Sequence, residues 1–336
     1  MHYYIIQRQL SYKDYSATNK ALADAENIIN TRWGGAELVA LRQSPSKIAI
    51  IINIVYLCLK LYAPHIFGGV KRRDKVLFFV PDSKYKIWLL LKAHKIKHFE
   101  LLMFINDIEF LRQGAIHTRR MFKELNLCLE SDKILVPNNN SKRILNQYYG
   151  IELEKMIPVG VWDYLYNKET EQPQGTNDRI LFIGNLDKSN FIGGLGNLPL
   201  KFDLIGKHSK TYTADNINYL GKYNPDELPG IIKGYKWALV WDGDDFNGVP
   251  YYQRFNNPHK MGLYLCAGIP VIAWSQSGAR TFIEEYKCGV TIDTLNDLKT
   301  AIDIDQNKYT EIKTNVIKVS KLIRQGYFLW QALDKI

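Results

Sequence analysis

Cysteine is scarce in this chain and does not cluster: Cys58, Cys128, Cys266 and Cys288 are scattered over 336 positions. With no C-x-x-C pair and no histidine-rich spacing, neither a disulfide framework nor a zinc knuckle is expected, and a reducing compartment fits. Long apolar runs are missing too. The longest, Ile48 to Leu59, is broken at Asn53 and stopped at Lys60, short of the roughly 20 apolar residues that span a bilayer. The opening MHYYIIQRQL has no charged start, long apolar stretch or small-residue cleavage site of a secretory signal. These absences predict a cytoplasmic protein without a membrane span. Repeats and low-complexity stretches are also lacking, while 46% of residues are hydrophobic and 23% charged. That composition predicts sizeable cores, and the length suggests about two domains.

Acidic residues run short in one half only. Residues 1–160 hold 24 Lys+Arg against 14 Asp+Glu, and residues 161–336 hold 20 against 20, so the whole net charge of +10 lies in the first half. Its densest part, Lys71 to Lys97, has nine basic residues against Asp74 and Asp82. This asymmetry points to a polyanionic partner for that half: an anionic membrane, a nucleic acid or a phosphorylated acceptor. A passive basic surface is the alternative.

What the chain does have is alternation. Tyr3–Ile6, Ala36–Leu41, Val76–Val80, Leu101–Ile105 and Ile134–Val136 read as buried strands. Helical periodicity fills Thr18–Ile29, Ser46–Leu61, Ser83–Lys97, Ile116–Glu130 and Ser141–Tyr149 between and after them. After a polar stretch with Pro173 and Gly175, Tyr166 to Asp178, strands recur at Ile180–Ile183, Phe202–Ile205, Ile217–Leu220, Trp237–Trp241, Pro270–Ala273 and Val290–Ile292. Helices are expected at His259–Cys266 and Ala279–Tyr286, with a long one from about Lys308 to the end. The pattern predicts α/β architecture with two doubly wound, Rossmann-like parallel sheets. The expected domains are 1–165, joined by a returning helix of about 323–336, and 166–322.

Four segments can carry chemistry. In Phe255-Asn256-Asn257-Pro258-His259-Lys260, Asn257 reads as an N-cap and Pro258 as the first helical turn. Such a helix start favours an anion, and a mobile Lys260 there adds positive charge. The alternative is a capped helix with a solvated lysine. Gly184 follows the first strand of the second half and admits close approach of a ligand, with Asn185 and Lys188 placed for phosphate or ribose. Asp242-Gly243-Asp244 ends another strand; two carboxylates could hold Mg²⁺ or Mn²⁺, position a donor sugar, or simply form a turn. Asp107 and Glu109 follow the Leu101–Ile105 strand, where a general base would take a hydroxyl proton, and a helix-capping aspartate is the alternative. No nucleophile elbow or Ser–His or Cys–His triad is evident.

LVWDGDD and YYQRFNNPHKMGLYLCAGIPVIAWSQSGARTFIEE resemble bacterial O-antigen β-1,6-galactofuranosyltransferases. A more distant resemblance, through Tyr223-Asn224-Pro225-Asp226-Glu227 and the Lys260 segment, is to the glucosyltransferases that glycosylate serine-rich adhesins. The resemblance implies a GT-B fold with its domains facing a cleft, and a UDP-sugar as co-substrate with no further cofactor and no metal. It also implies that Asn257, His259 and Lys260 hold the diphosphate, with Lys188 reaching it from the opposite loop. Tyr223 would border the uracil, and the Ser11–Ser16 loop would close over the nucleotide. Where the galactofuranosyl relatives have His-Asp, this chain has Asn106-Asp107. The expectation is an inverting, metal-independent transferase at the inner membrane face, with Asp107 as base and Glu109 next in line, and a lipid-linked glycan as acceptor. UDP-glucose is the alternative donor. A nucleic-acid-binding protein would explain the charge and leave FNNPHK without purpose, so no nucleic-acid partner is expected. An inactive nucleotide-sugar-binding partner is the third reading.

Overall fold

The computed structural model describes residues 1–8, 10, 17–42, 46–63, 69–107, 111, 121–168, 176–208, 212, 214–242 and 252–336. The chain divides into two compact units. Unit 1 comprises Met1–Tyr12, Glu26–Val159 and Trp330–Ile336; unit 2 comprises Lys13–Ala25 and Gly160–Leu329.

Unit 1 is built on strands β1 (Tyr3–Arg8), β2 (Glu37–Leu41), β3 (Lys75–Val80), β4 (Glu100–Ile105), β5 (Lys133–Val136) and β6 (Met156–Pro158). They form one sheet in the order β2-β1-β3-β4-β5-β6, and every pairing is parallel. Val76–Val80 and Leu101–Ile105 are unbroken apolar runs because both faces of these central strands are covered. β6, only three residues long, left too short a run to be read from sequence. The helices are α1 (Ala17–Arg32), α2 (Lys47–Tyr62), α3 (Lys84–Lys97), α4 (Met121–Glu130) and α5 (Asn139–Tyr149). Asn138 caps α5, accepting from Ser141 N at 2.9 Å. Right-handed crossovers put α1 on one face and α2, α3 and α4 on the other, where α3 packs between α2 and α4.

Unit 2 repeats the plan with β7 (Asn177–Ile183), β8 (Phe202–Ile205), β9 (Ile217–Tyr219), β10 (Tyr235–Val240), β11 (Val271–Trp274) and β12 (Gly289–Ile292). The order is β12-β11-β10-β7-β8-β9, again all parallel. The helices after α5 are α6 (Ile192–Leu195), α7 (Leu228–Ile232), α8 (His259–Cys266), α9 (Arg280–Tyr286), α10 (Leu298–Ile302) and α11 (Gln306–Arg324), all in unit 2, and α12 (Tyr327–Leu333), which passes into unit 1 after Leu329. The single long terminal helix expected from the pattern is broken into α11 and α12. Gly326, at φ 77°, takes the left-handed conformation that ends a helix. Buried Asp163 then accepts from Phe328 N at 3.3 Å and Leu329 N at 2.7 Å. Among the described residues no helix is long and apolar enough to cross a membrane.

Candidate active site

A doubly wound sheet offers a crevice at the carboxyl ends of its strands, where the strand order reverses. In unit 2 that point lies between β7 and β10, since the chain steps from β7 outward to β9 and then returns to β10. β10 runs out into Trp241 and Asp242, and β7 into Gly184 and Asn185. Lys260, in the first turn of α8, reaches this point. Its ammonium lies 2.7 Å from the Trp241 carbonyl and 2.8 Å from Asp242 Oδ1, and 4.6 Å from the centre of the Phe182 ring. Two of its three donors are used by those oxygens, which fixes the charge, and among the described residues no further hydrogen-bond acceptor takes the third. The lysine expected to be mobile is held.

The carboxylate beside it is held as well. Asn256 donates to Asp242 Oδ2 at 3.0 Å, so both Asp242 oxygens have nitrogen partners. Gln253, buried, ties the loop back to the sheet by donating to Val240 O at 3.0 Å. Among the described residues no group of three or more His, Cys, Asp or Glu is placed to hold a metal.

Close packing fixes the backbone around the ammonium. A Cβ on Gly184 would sit 3.3 Å from the Phe182 ring and 3.9 Å from Lys260 Nζ. A Cβ on Gly262 would strike Trp162 O at 2.1 Å, so α8 can lie against that segment only with glycine there. Tyr264 OH accepts from Ile183 N at 2.7 Å and pins α8 to β7.

One expectation about α8 fails. Asn257 is not its N-cap: Pro258 is, with φ −65° and ψ 125°, and no side chain caps the helix. Pro258 holds Asn257 out of helical conformation and itself stays extended, so helix begins one residue later, at His259. Asn257 is buried just outside the helix. His259 packs against Trp162 with ring centres 4.5 Å apart and the planes tilted by 44°. Burial pushes its imidazole down to about 4, partly countered by Asp242, so it is neutral near pH 7. Its Nδ1 and the Trp241 Nε1 are buried with no hydrogen-bond partner among the described residues, which is costly unless something polar approaches.

Other expected residues of unit 2 are less engaged. Asn185 and Lys188 are exposed around a short 3₁₀ turn after β7, and Tyr223 is half-buried against the core. Asp107, in unit 1, is half-buried directly after β4. The end of β3, the strand beside β4 in the sheet, opens on a cavity of about 350 Å³ lined by Asp82, Ser83, Lys84, Tyr85 and Ile87, with Lys123 and Glu124 from α4. Ser16, Glu109 and Asp244 lie outside the described residues.

Sequence reasoning missed Gln253, Asn256 and the Trp241 carbonyl, although Asn256 sits inside the FNNPHK block. It also missed Lys20 and Asp24 of α1, which group with unit 2. Lys20 contacts Asp24 at 2.5 Å and Leu165 O at 3.1 Å, and Leu165 N donates to Asp24 at 3.0 Å. Burial raises the Asp24 carboxyl to about 6, against the opposing effect of Lys20. The i,i+4 spacing was a visible signal for the pair; nothing in the sequence tied it to Leu165.

Comparison with known proteins now decides the family. The model for the glucosyltransferase 3-like N-terminal domain matches residues 3–161, and that for the C-terminal domain matches residues 180–336. The chain belongs to the glucosyltransferase 3-like family. It is therefore a glycosyltransferase. The β-1,6-galactofuranosyltransferase WbbI of Escherichia coli K12 is 26% identical over 278 residues, covering 80% of each chain. Glucosyltransferase 3 of Streptococcus gordonii is 26% identical over 238 residues, covering 70% of each. Among solved structures, HepE of Anabaena, crystallised with UDP-glucose, superposes with a TM-score of 0.60 at 14% identity over 99% of each chain. WaaG, a glycosyltransferase of lipopolysaccharide biosynthesis, gives 0.59 at 12% identity over 98% of each. The fold is GT-B, as the resemblance implied.

Proposed function

We propose that this glycosyltransferase moves galactofuranose from UDP-galactofuranose onto a lipid-linked cell-envelope glycan, with inversion and without a metal ion. The observation that carries the donor half is Lys260. A fixed ammonium with one donor to spare, at the strand-order reversal and beside two buried unpartnered nitrogens, suits a diphosphate. The transfer breaks the anomeric C–O bond and leaves both its electrons on the departing UDP. Lys260 and the start of α8 stabilise that growing negative charge. His259 Nδ1 and Trp241 Nε1 are further candidates to meet diphosphate or sugar oxygens, the imidazole as an N–H donor in the appropriate tautomer. Lys188 and Asn185 approach from the β7 side, Tyr223 borders the base, and Asp242 orients the sugar hydroxyls. Asp107 takes the proton from the attacking acceptor hydroxyl as the new C–O bond forms. The cavity at the end of β3, with Tyr85 as an apolar platform and Asp82 as an acceptor of hydroxyl hydrogen bonds, receives the glycan.

UDP-glucose is the second donor reading, supported by the Streptococcus relative's name and equal identity. The basic face of unit 1 is read as resting on the anionic inner leaflet. The structure trims that face. Lys75 pairs with Glu100 at 3.1 Å, Lys86 with Asp82 at 2.8 Å and Lys95 with Glu130 at 2.6 Å; Lys71, Arg72 and Arg73 form an exposed turn. The decisive experiment is a panel of UDP-sugars assayed for hydrolysis and transfer, with and without EDTA. Turnover of UDP-galactofuranose that survives EDTA supports the reading. Turnover of UDP-glucose alone selects the second donor, and strict dependence on Mn²⁺ or Mg²⁺ overturns metal independence.

A further inference from the structure

Helix α2 is apolar on both sides. Its sheet-facing side buries Leu57 and Leu61, with Asn53 bonded both ways to the Arg42 backbone. Its opposite side carries Ile48, Ile51, Ile52, Val55 and Tyr56 at spacings of three and four, which is one continuous face. All five are exposed: Ile48 by 70%, Ile51 by 60% and Val55 by 50%. A helix apolar all round is ordinarily buried, so this face is a mismatch between sequence and solvent.

Its neighbour explains what covers it. α3 packs beside α2 on the same face of the sheet, with Tyr62 OH 3.4 Å from Leu89 O. Outward from α3 stand Trp88, 54% exposed, with Ile96 and Tyr85. Lys92 lies over the Trp88 ring at 4.1 Å, and Lys84 is 5.7 Å from the Tyr85 ring. The two helices hold two and five lysines respectively and no carboxylate. Aliphatic residues, ring side chains and lysines in this mixture match the boundary of an anionic bilayer, where acyl chains meet charged headgroups. A second copy of the same surface would instead set lysine against lysine.

We propose that α2 is a monotopic anchor: its Ile48–Tyr56 face inserts into the acyl boundary of an anionic membrane, with α3 lying at headgroup level. This rests on the reading that the acceptor is lipid-linked, and it goes beyond charge attraction by predicting a contact that salt does not remove. The anchor holds unit 1 at the surface from which such an acceptor projects.

The test is flotation of the full chain with phosphatidylglycerol or phosphatidylcholine vesicles, at low salt and at about 0.5 M salt, where charges are screened within a few ångströms. Wild type is compared with Ile51→Glu/Val55→Glu and with Lys71→Glu/Arg72→Glu/Arg73→Glu. Wild type should bind phosphatidylglycerol vesicles at low salt and keep a measurable bound fraction at high salt. The α2 variant should lose at least about tenfold of the high-salt fraction, since two carboxylates replace apolar side chains that the proposed anchor inserts into the acyl boundary. The triple variant should lose only the extra binding that wild type gains at low salt, and match wild type at high salt. A melting shift on adding UDP, kept in the α2 variant, shows it is folded; absence of that shift in wild type counts against the donor reading and leaves the flotation result standing. Wild-type binding that disappears completely at high salt overturns the anchor, as does an α2 variant that floats like wild type. A wild-type dimer that the α2 variant splits, with no vesicle binding, assigns the face to self-association.

Discussion

The carboxyl edges of the two sheets are finished differently. In unit 2 the edge is closed around one cation: Lys260, Asp242, Asn256 and Gln253 are linked by hydrogen bonds, and Gly184 and Gly262 bring backbone and rings into contact. In unit 1 the corresponding edge presents a cavity with Tyr85 on its rim and a half-buried Asp107, and the helices beside it carry the charge excess and an exposed apolar face. A group shared by every catalytic cycle, as proposed for the donor diphosphate, would reward a rigid preorganised site. Acceptors and surfaces differ in shape, and a wider edge with charge suits them. The contrast predicts that substitutions in unit 1 change turnover or location, whereas those in unit 2 change nucleotide affinity or stability.

The largest effect should come from unit 1. Asp107→Asn keeps size and polarity but cannot accept a proton at neutral pH, so kcat should fall by roughly 10²–10⁴-fold while UDP affinity stays nearly unchanged. Rates under saturating donor, paired with calorimetry, separate the two. Wild-type turnover would remove Asp107 from the chemistry and pass the role to Glu109.

A smaller effect should come from unit 2, through pH. The His259 imidazole titrates near 4 in the fold against an ordinary 6.5 because it is buried. The unfolded chain therefore takes up this proton first as pH falls. His259 stabilises the fold fully above about 6.5, and that stability is lost progressively down to about 4, at most about 3 kcal/mol. His259→Phe keeps a ring against Trp162 and removes the titration, so its Tm should fall less than that of wild type between pH 7 and 4.5. Parallel curves would contradict the buried neutral state. The raised carboxyls of Asp24 and Asp163 are common to both proteins and cancel in the difference.

Most of the fold was legible because parallel strands buried on both faces are unbroken apolar runs, as in Val76–Val80 and Leu101–Ile105. The short edge strand Met156–Pro158 offered three residues and no run. The break between α11 and α12 escaped because apolar spacing continues through it, and only Gly326 marks the stop. Lys260 was found from its block, with its partners unseen: Trp241 contributes a backbone carbonyl, which has no sequence signature. Asn257 was misread because Asn-Pro suits a cap followed by a first turn, and the same dipeptide equally places Pro258 in the cap. The α2 face stood in plain view as the run Ile48–Leu59, but sequence alone could not say that its outer side is uncovered.

Lys260 is the proposed diphosphate anchor, and calorimetric titration of UDP into wild type and Lys260→Ala tests that role most directly. Removing one hydrogen bond to a charged group should weaken UDP by about 1.5–3 kcal/mol, roughly 10- to 150-fold, in a variant whose melting temperature shows it is folded. Equal UDP affinity in the two proteins would contradict the assignment and move the donor site elsewhere in the chain.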